Sequence, residues 1–154
     1  MRRSARTAAE VRRSVLCRGR ALRSLGTRTV AGRALVSSQP LTFLGFLDRR
    51  TGAVGQPGHP LDGATVGATV LVFPRGIGST VGPYVLLEMA ENGVAPAALV
   101  MQRGDLGTIA AASLARIPLI YDAEPDPTRM FSTGERLEVR VRGGSGTVAR
   151  ARRR

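Results

Sequence analysis

The clearest hydrophobic pattern lies in the middle of the chain. Residues 69–73 form an uncharged run of β-branched, leucine and aromatic side chains, which is typical of a buried strand. A glycine-rich segment at 75–82 follows, and an apolar helical stretch at 84–90 begins directly after Pro83. Because proline is favoured at the first position of a helix, the sequence predicts a strand, a glycine loop and a helix in that order.

The same alternation of apolar strands and helices continues beyond this unit. Residues 95–101 and 117–121 are apolar runs that predict two further buried strands. Between them lies an alanine-rich helix at 106–116, for which Asp105 or Thr108 is a suitable N-cap. The resulting β-α-β-α-β order with short links indicates a central parallel sheet with right-handed crossovers.

Strands with a different pattern flank this parallel unit on both sides. Residues 29–38 alternate between small or apolar and polar positions, and residues 41–47 predict a second short strand with a possible bulge at Gly45. Residues 136–142 alternate strictly, and residues 147–151 return after a glycine turn as a hairpin partner. We therefore predict an α/β fold with a mixed, partly barrel-like sheet.

The net charge of +12 is concentrated at the two ends of the chain. Residues 1–28 carry +8, residues 150–154 carry +4, and residues 29–149 contain ten Arg and ten acidic residues. We interpret 1–28 as a disordered arginine-rich extension, 29–149 as the folded domain and 150–154 as a basic tail. A targeting segment and a start codon assigned too far upstream are alternatives for 1–28. We expect removal of 1–28 to leave the stability unchanged.

The composition of the neutral core excludes two classes of partner. With two Tyr, four Phe and no Trp, it lacks the basic, aromatic face of a nucleic-acid module. No apolar run approaches the ~20 residues of a membrane-spanning helix. We expect neither nucleic acid nor a membrane as a partner, although binding of nucleic acid through the arginine-rich ends remains an alternative that salt dependence would reveal.

The chain contains one cysteine and one histidine, and neither has a partner in the sequence. Cys17 lies in the predicted extension, so the chain forms no internal disulfide and has no cysteine cluster for zinc or iron and sulfur. A single thiol fits a reducing, cytoplasmic location. His59 lies in the turn-rich stretch 48–65 without a second ligand or base beside it, so we expect a structural role.

The glycine loop does not match either of the two common phosphate-binding loops. The dinucleotide fingerprint requires a sixth-position glycine, but Val81 occupies that place when Gly76 is the first, and the nucleotide-hydrolase loop requires a lysine, which the chain lacks. What remains is a Gly-x-Gly-Ser-Thr turn that presents a hydroxyl at a helix N-terminus, where backbone N–H groups attract anions. The alternative is that Ser79 or Thr80 only caps the helix.

Several short motifs occur in a distinctive order and spacing between residues 29 and 149. They are ALVS at 34–37, LTFLG at 41–45, GHPL at 58–61, LVFP at 71–74, GIGSTVG at 76–82, GVAPA at 93–97 and IPL at 117–119. In this order and spacing they resemble the small subunit, or swivel domain, of the aconitase X-type dehydratases, a family that includes phosphomevalonate dehydratase and cis-3-hydroxy-L-proline dehydratase. The Gly-x-Gly-Ser element is also similar to the serine loop of the aconitase and isopropylmalate isomerase swivel domains.

The resemblance implies a swivelling β/β/α domain that works as part of a hydro-lyase. It implies a large partner subunit that binds an iron–sulfur cluster through its own cysteines, while this chain binds no metal. The partner's metal would take the leaving hydroxyl, and Ser79 would remove the proton as the catalytic base. Arg75, Gly76, Gly78 and Thr80 are the expected substrate-binding residues.

Two departures from the family pattern and the choice of substrate remain to be considered. Ile77 occupies a place where relatives have Arg or Lys, so Arg75 is the candidate cation, and Pro83 replaces an expected serine. The resemblance implies a small hydroxy acid as the substrate, either cis-3-hydroxy-L-proline or (R)-5-phosphomevalonate. The lysine-free, arginine-rich composition is typical of GC-rich bacteria and favours the former. The alternative function is a non-catalytic anion-binding or regulatory module that uses the same loop.

Overall fold

A computed structural model describes residues 15–43, 45–77 and 82–151 of the 154-residue chain. Within these residues, seven strands close into a barrel in the order β1-β5-β4-β3-β2-β6-β7. A short 3-10 turn, Arg23–Leu25, joins the first two strands. In chain order the elements are β1 Val15–Ala21, β2 Thr27–Val36, β3 Val70–Phe73, α1 Gly82–Glu91, β4 Ala98–Met101, α2 Leu106–Ala115, β5 Leu119–Glu124, α3 Pro127–Met130, β6 Arg136–Arg142 and β7 Ser145–Arg150.

The barrel combines a parallel half and an antiparallel half, as the hydrophobic pattern predicted. Strands β2, β3, β4 and β5 are neighbours and run parallel. Helices α1 and α2 form the crossovers between β3, β4 and β5, which confirms the β-α-β-α-β unit. Strands β1, β6 and β7 pair antiparallel and complete the barrel. The predicted α/β class and mixed barrel-like sheet are therefore correct.

Alternating side chains of the parallel strands build two separate hydrophobic cores. In β3, Val70 and Val72 lie inside the barrel, whereas Leu71 and Phe73 lie beneath the helices. The outer core also receives the buried faces of α1 and α2. The domain therefore has three layers: the two walls of the barrel, and the helices that pack on the outside of the parallel wall. The barrel interior is filled by Cys17, Ala21, Ala34, Val70, Val72, Ala98, Val100, Ile120, Ala123, Phe131, Leu137, Val139, Val141 and Val148.

The predicted boundaries at both ends of the chain are wrong. Residues 15–28, assigned above to a disordered extension, contain β1 and the beginning of β2. Strand β1 pairs with β5 on one side and β7 on the other, so it closes the barrel. At the other end, Arg150 belongs to β7 and not to a tail, and its Nε lies 2.7 Å from Glu135 Oε2. Residues 1–14 and 152–154 lie outside the described residues.

The strand predicted at residues 41–47 is a loop held by single bridges. Leu41 bridges to Gly76 and Leu47 bridges to Val54, but no ladder forms between them. Leu41, Phe43 and Leu47 are buried in the outer core, and their burial at odd-numbered positions produces the alternation that resembles a strand. Gly45 has a φ of +83° and lies in a turn, so it is not a strand bulge.

Two further segments differ modestly from the prediction. Strand β5 extends to Glu124, three residues beyond the apolar run at 117–121 that predicted it, and α3 begins at Pro127 after the N-cap Asp126. Phe131, the residue after α3, is buried in the interior cluster and therefore covers one end of the barrel. None of the helices in the described part of the chain is long and apolar enough to cross a membrane.

Candidate functional site

The candidate site lies where the parallel strands β3 and β4 end side by side. After β3 the chain continues through Pro74 to the glycine loop, and after β4 it continues through Arg103 towards α2. The Arg103 N–H donates a hydrogen bond to the Pro74 carbonyl at 2.9 Å, so the two connecting loops run next to each other. Carboxyl ends of parallel strands are the usual location of ligand sites in α/β folds.

Asp105 joins these two loops through both carboxylate oxygens. Its Oδ1 accepts a hydrogen bond from the Gly76 N–H at 2.8 Å, and its Oδ2 accepts one from the Thr108 N–H at 2.9 Å. The second bond makes Asp105 the N-cap of α2, so of the two caps that the sequence allowed, Asp105 and Thr108, the structure has Asp105. The bond to Gly76 was not predicted, because residues 29 positions apart give no local signal of contact.

Gly76 is required at its position because the site leaves no room for a side chain. A Cβ atom there would lie 2.7 Å from Asp105 Oδ1 and would also collide with the Thr108 hydroxyl. Thr108 is only 2% exposed, so its hydroxyl is enclosed by protein at this position. The glycine therefore permits the close approach of the loop to the start of α2.

The other side of the loop is held by the segment around Leu41. The Leu41 N–H donates to the Arg75 carbonyl at 3.1 Å, and the Ile77 N–H donates to the Leu41 carbonyl at 3.0 Å. His59 contacts the same segment, since its Nε2 lies 3.1 Å from the carbonyl oxygen of Pro40, the residue before Leu41. Residues 75–77 are thus fixed from two directions before the chain enters the serine-containing part of the loop.

His59 has the structural role that the sequence analysis expected. It is buried, and its Nδ1 accepts a hydrogen bond from the Leu61 N–H at 3.0 Å. Because Nδ1 is the acceptor, the ring proton resides on Nε2 and is donated to the Pro40 carbonyl. Both ring nitrogens are therefore engaged with the backbone.

Of the remaining predicted site residues, the structure describes only Arg75. Arg75 is exposed and makes no hydrogen bond or ion pair with another described residue through its side chain. Gly78, Ser79 and Thr80 lie outside the described residues. The described chain resumes at Gly82 with the first turn of α1, so residues 78–81 connect the fixed end of β3 to the N-terminus of a helix.

The described residues offer no group of ligands for an iron–sulfur cluster or a similar metal site. Within 15–43, 45–77 and 82–151, no three His, Cys, Asp or Glu side chains come together as ligands would. Cys17 is buried inside the barrel, and burial raises the pKa of its thiol to about 11. The thiolate that a metal requires is therefore strongly disfavoured there.

An acidic cavity at the same edge was missed by the sequence analysis. It has a volume of about 480 Å³ and lies beside the β4–α2 connection. Asp122, which has a φ of +51°, accepts a hydrogen bond from the Gly104 N–H at 3.0 Å and thereby braces that connection. The cavity is lined by Gln102, Arg103, Asp122, Ala123, Glu124 and Asp126.

Comparison with known proteins finds relatives that match most of this chain. The chain is 45% identical over 106 residues to the phosphomevalonate dehydratase small subunit of Methanopyrus kandleri, a match that covers 69% of this chain and 78% of that protein. It is 38% identical over 133 residues to the protein of the same name from Methanocella arvoryzae, covering 86% of this chain and 92% of that one.

Solved structures and a family model agree with these relatives. The crystal structure of holo aconitase X from Thermococcus kodakaraensis superposes with a TM-score of 0.71 at 30% identity, covering 85% of this chain and 97% of that chain. An NMR structure of a UPF0107 protein superposes with a TM-score of 0.74 at 34% identity, covering 89% and 100%. The model of the aconitase X swivel domain matches residues 20–149, so the chain belongs to the aconitase X swivel-domain family.

Proposed function

We propose that this chain is the small subunit of a two-subunit, cytoplasmic hydro-lyase of the aconitase X type that dehydrates (R)-5-phosphomevalonate. The observation that carries the proposal is the match to phosphomevalonate dehydratase small subunits over nearly their whole length. The geometry supports it, because residues 75–77 at the beginning of the loop are fixed at the carboxyl ends of the parallel strands, the usual location of ligand sites in α/β folds. The composition alone favoured cis-3-hydroxy-L-proline, but the named relatives favour the phosphorylated substrate.

In this proposal Ser79 removes a proton from the carbon next to the one that bears the leaving hydroxyl. A serine hydroxyl is ordinarily a poor base. Its alkoxide becomes accessible when backbone N–H groups at a helix start stabilise the negative charge, and α1 begins three residues after Ser79, at Gly82. The hydrogen bond between Gly76 and Asp105 fixes the end of the loop that precedes Ser79 in the chain.

Arg75 is the proposed anchor for the phosphate or the carboxylate of the substrate. Its side chain is exposed at the same edge and has no ion-pair partner among the described residues. A guanidinium binds phosphate and carboxylate through two parallel hydrogen bonds, which both attract and orient the substrate. Gly76, Gly78 and Thr80 complete the proposed contacts from this loop.

The proposed large subunit supplies what this chain lacks. We propose that it carries an iron–sulfur cluster, which when bound acts as a Lewis acid towards the leaving hydroxyl. This chain contributes the base and the anion-binding loop, and the loss of one proton and one hydroxide from neighbouring carbons yields water and a carbon–carbon double bond. Neither subunit alone is then expected to be active.

The test is an assay of the reconstituted complex on both substrates. The chain is co-purified with the aconitase X-type large subunit of the same organism, and dehydration of (R)-5-phosphomevalonate and of cis-3-hydroxy-L-proline is measured. We expect turnover of phosphomevalonate by the complex, none by either subunit alone, and no iron in the isolated chain. Preferential turnover of hydroxyproline would contradict the assignment of phosphomevalonate as the substrate. Stoichiometric iron or turnover in the isolated chain would contradict the assignment of the cluster to the large subunit.

A further inference from the structure

Resting on the proposed function, we propose that Ile77, Tyr84 and Leu106 form the surface that docks the large subunit. We refer to these three residues as the docking edge. They are 49%, 61% and 86% exposed, whereas neighbouring apolar residues of α1 such as Leu86 are completely buried. Single exposed apolar side chains are common on protein surfaces, but several at one edge indicate a contact with another protein.

The three residues belong to one edge because the elements that carry them start or end there. Ile77 follows Gly76 and Leu106 follows Asp105, and the 2.8 Å hydrogen bond between Gly76 and Asp105 brings their neighbours together. Tyr84 lies in the first turn of α1. Helices α1 and α2 pack against each other and begin at the same edge, since β3 and β4 are parallel neighbours.

The position of the docking edge points to the large subunit as its occupant. Ile77 and Tyr84 lie on either side of the segment 78–81, which contains the proposed base. A partner that covers both residues brings its own groups close to the two ends of that segment, as a shared active site requires. A second copy of this chain would instead bring two such loops together and exclude the subunit that completes the site.

The charge at the rim specifies the chemistry of the complementary surface. Arg103 is exposed and lies next to Pro74 through its backbone hydrogen bond, and its side chain makes no ion pair with a described residue. Arg103 also lines the cavity that Asp122, Glu124 and Asp126 make acidic, so both signs of charge are present at the rim. The fitting partner surface is therefore apolar opposite Leu106 and Tyr84, with both signs of charge around this apolar centre. Buried apolar and aromatic anchors with a charged rim are the usual anatomy of a specific interface.

A matched pair of leucine variants tests the docking edge. Leu106→Gln removes an apolar side chain at the start of α2, and Leu114→Gln makes the same change at the far end of the same helix, where the leucine is 45% exposed. Affinity of the full-length chain for the purified large subunit is measured by titration calorimetry. We expect Leu106→Gln to weaken binding about tenfold, as expected for an interface anchor, and Leu114→Gln to change it by less than about twofold. Tyr84→Ser provides a second variant with the same expected direction as Leu106→Gln.

The outcomes separate the docking edge from the proposed function. If both Leu106→Gln and Tyr84→Ser bind the large subunit with wild-type affinity, the docking edge is not the binding surface. This result would leave the proposal of a two-subunit enzyme unaffected. Equal weakening by Leu114→Gln would also overturn it, because the effect would not depend on position. Failure of the wild-type chain to bind the large subunit would overturn the proposed function itself. A wild-type homodimer that Leu106→Gln dissociates would assign the edge to a second copy.

Discussion

Cys17 is buried in the barrel interior, so the ionisation of its thiol depends on whether the barrel is folded. Its side chain is 1% exposed, and its Sγ–H donates to the Pro125 carbonyl at 3.3 Å. Burial raises the pKa of the thiol from 9.0 to about 11, because the interior disfavours the charged thiolate. The location of this residue inside the barrel was not predictable, since the arginines around it match the composition of a disordered segment.

We predict that this thiol makes the stability fall at alkaline pH. Between pH 9 and 11 the unfolded chain has released the proton while the folded chain retains it, so the folded state loses stability as the pH rises. A shift of this size corresponds to roughly 2–3 kcal/mol. Urea unfolding of the wild type and of Cys17→Ala measures the effect, and the variant should lack this part of the decline. If the free energy of unfolding falls equally with pH in both proteins, the Cys17 thiol is exposed to solvent and not buried.

At the scale of elements, Asp105 connects the β3–α1 loop to the start of α2. We predict that Asp105→Ala lowers the stability by about 1–2 kcal/mol through loss of the cap and also lowers turnover, because Gly76 loses its anchor. Asp126→Ala is the matched control, since Asp126 caps α3 by accepting from the Thr128 N–H at 3.0 Å and has no described bond to the loop.

The two variants are compared by thermal unfolding and by kcat of the reconstituted complex. Both should lose stability, and only Asp105→Ala should lose most of its turnover at temperatures where it is fully folded. Equal kcat in the two variants would show that the tie to Gly76 has no role in positioning the loop.

The elements that were predictable are those whose burial follows a regular period. The parallel strands β3 and β4 are apolar on both faces because barrel and helices cover them, and β6 alternates because one face meets solvent. Strand β1 was missed because its exposed positions carry arginine, and residues 41–47 were misassigned because a buried loop imitates a strand. Local patterns reveal burial, but they do not reveal which backbone groups pair.

At the scale of the molecule, the barrel depends on β1 for closure. We predict that deletion of residues 1–26 abolishes the cooperative unfolding transition, because β5 and β7 lose their partner and the interior around Ile120 and Val148 opens. This reverses the expectation from composition alone. Arg18→Gln is the control within β1 and should change the stability by no more than about 0.5 kcal/mol. A truncated chain with the wild-type melting temperature would show that β1 is dispensable.

The site was predictable to the extent that it is local in sequence. The strand, glycine loop and helix are contiguous, so their order and the role of Asp105 as a cap could be predicted. The contacts that fix the loop come from distant residues, namely Leu41 on one side and Asp105 on the other. Such long-range pairs leave no periodic signal in one sequence.

The most direct measurement is kcat of the reconstituted complex that carries Ser79→Ala. If Ser79 is the base, turnover of phosphomevalonate falls by at least about 10²–10⁴-fold, while the fold and the affinity for the large subunit are retained. Thr80→Ala, the control at the neighbouring hydroxyl, loses a proposed substrate contact but keeps the base, so its kcat falls far less than that of Ser79→Ala. If Ser79 only caps the helix, Ser79→Ala costs about 1 kcal/mol of stability and little activity. Near-normal kcat in an assembled Ser79→Ala complex would contradict the proposed role of this chain.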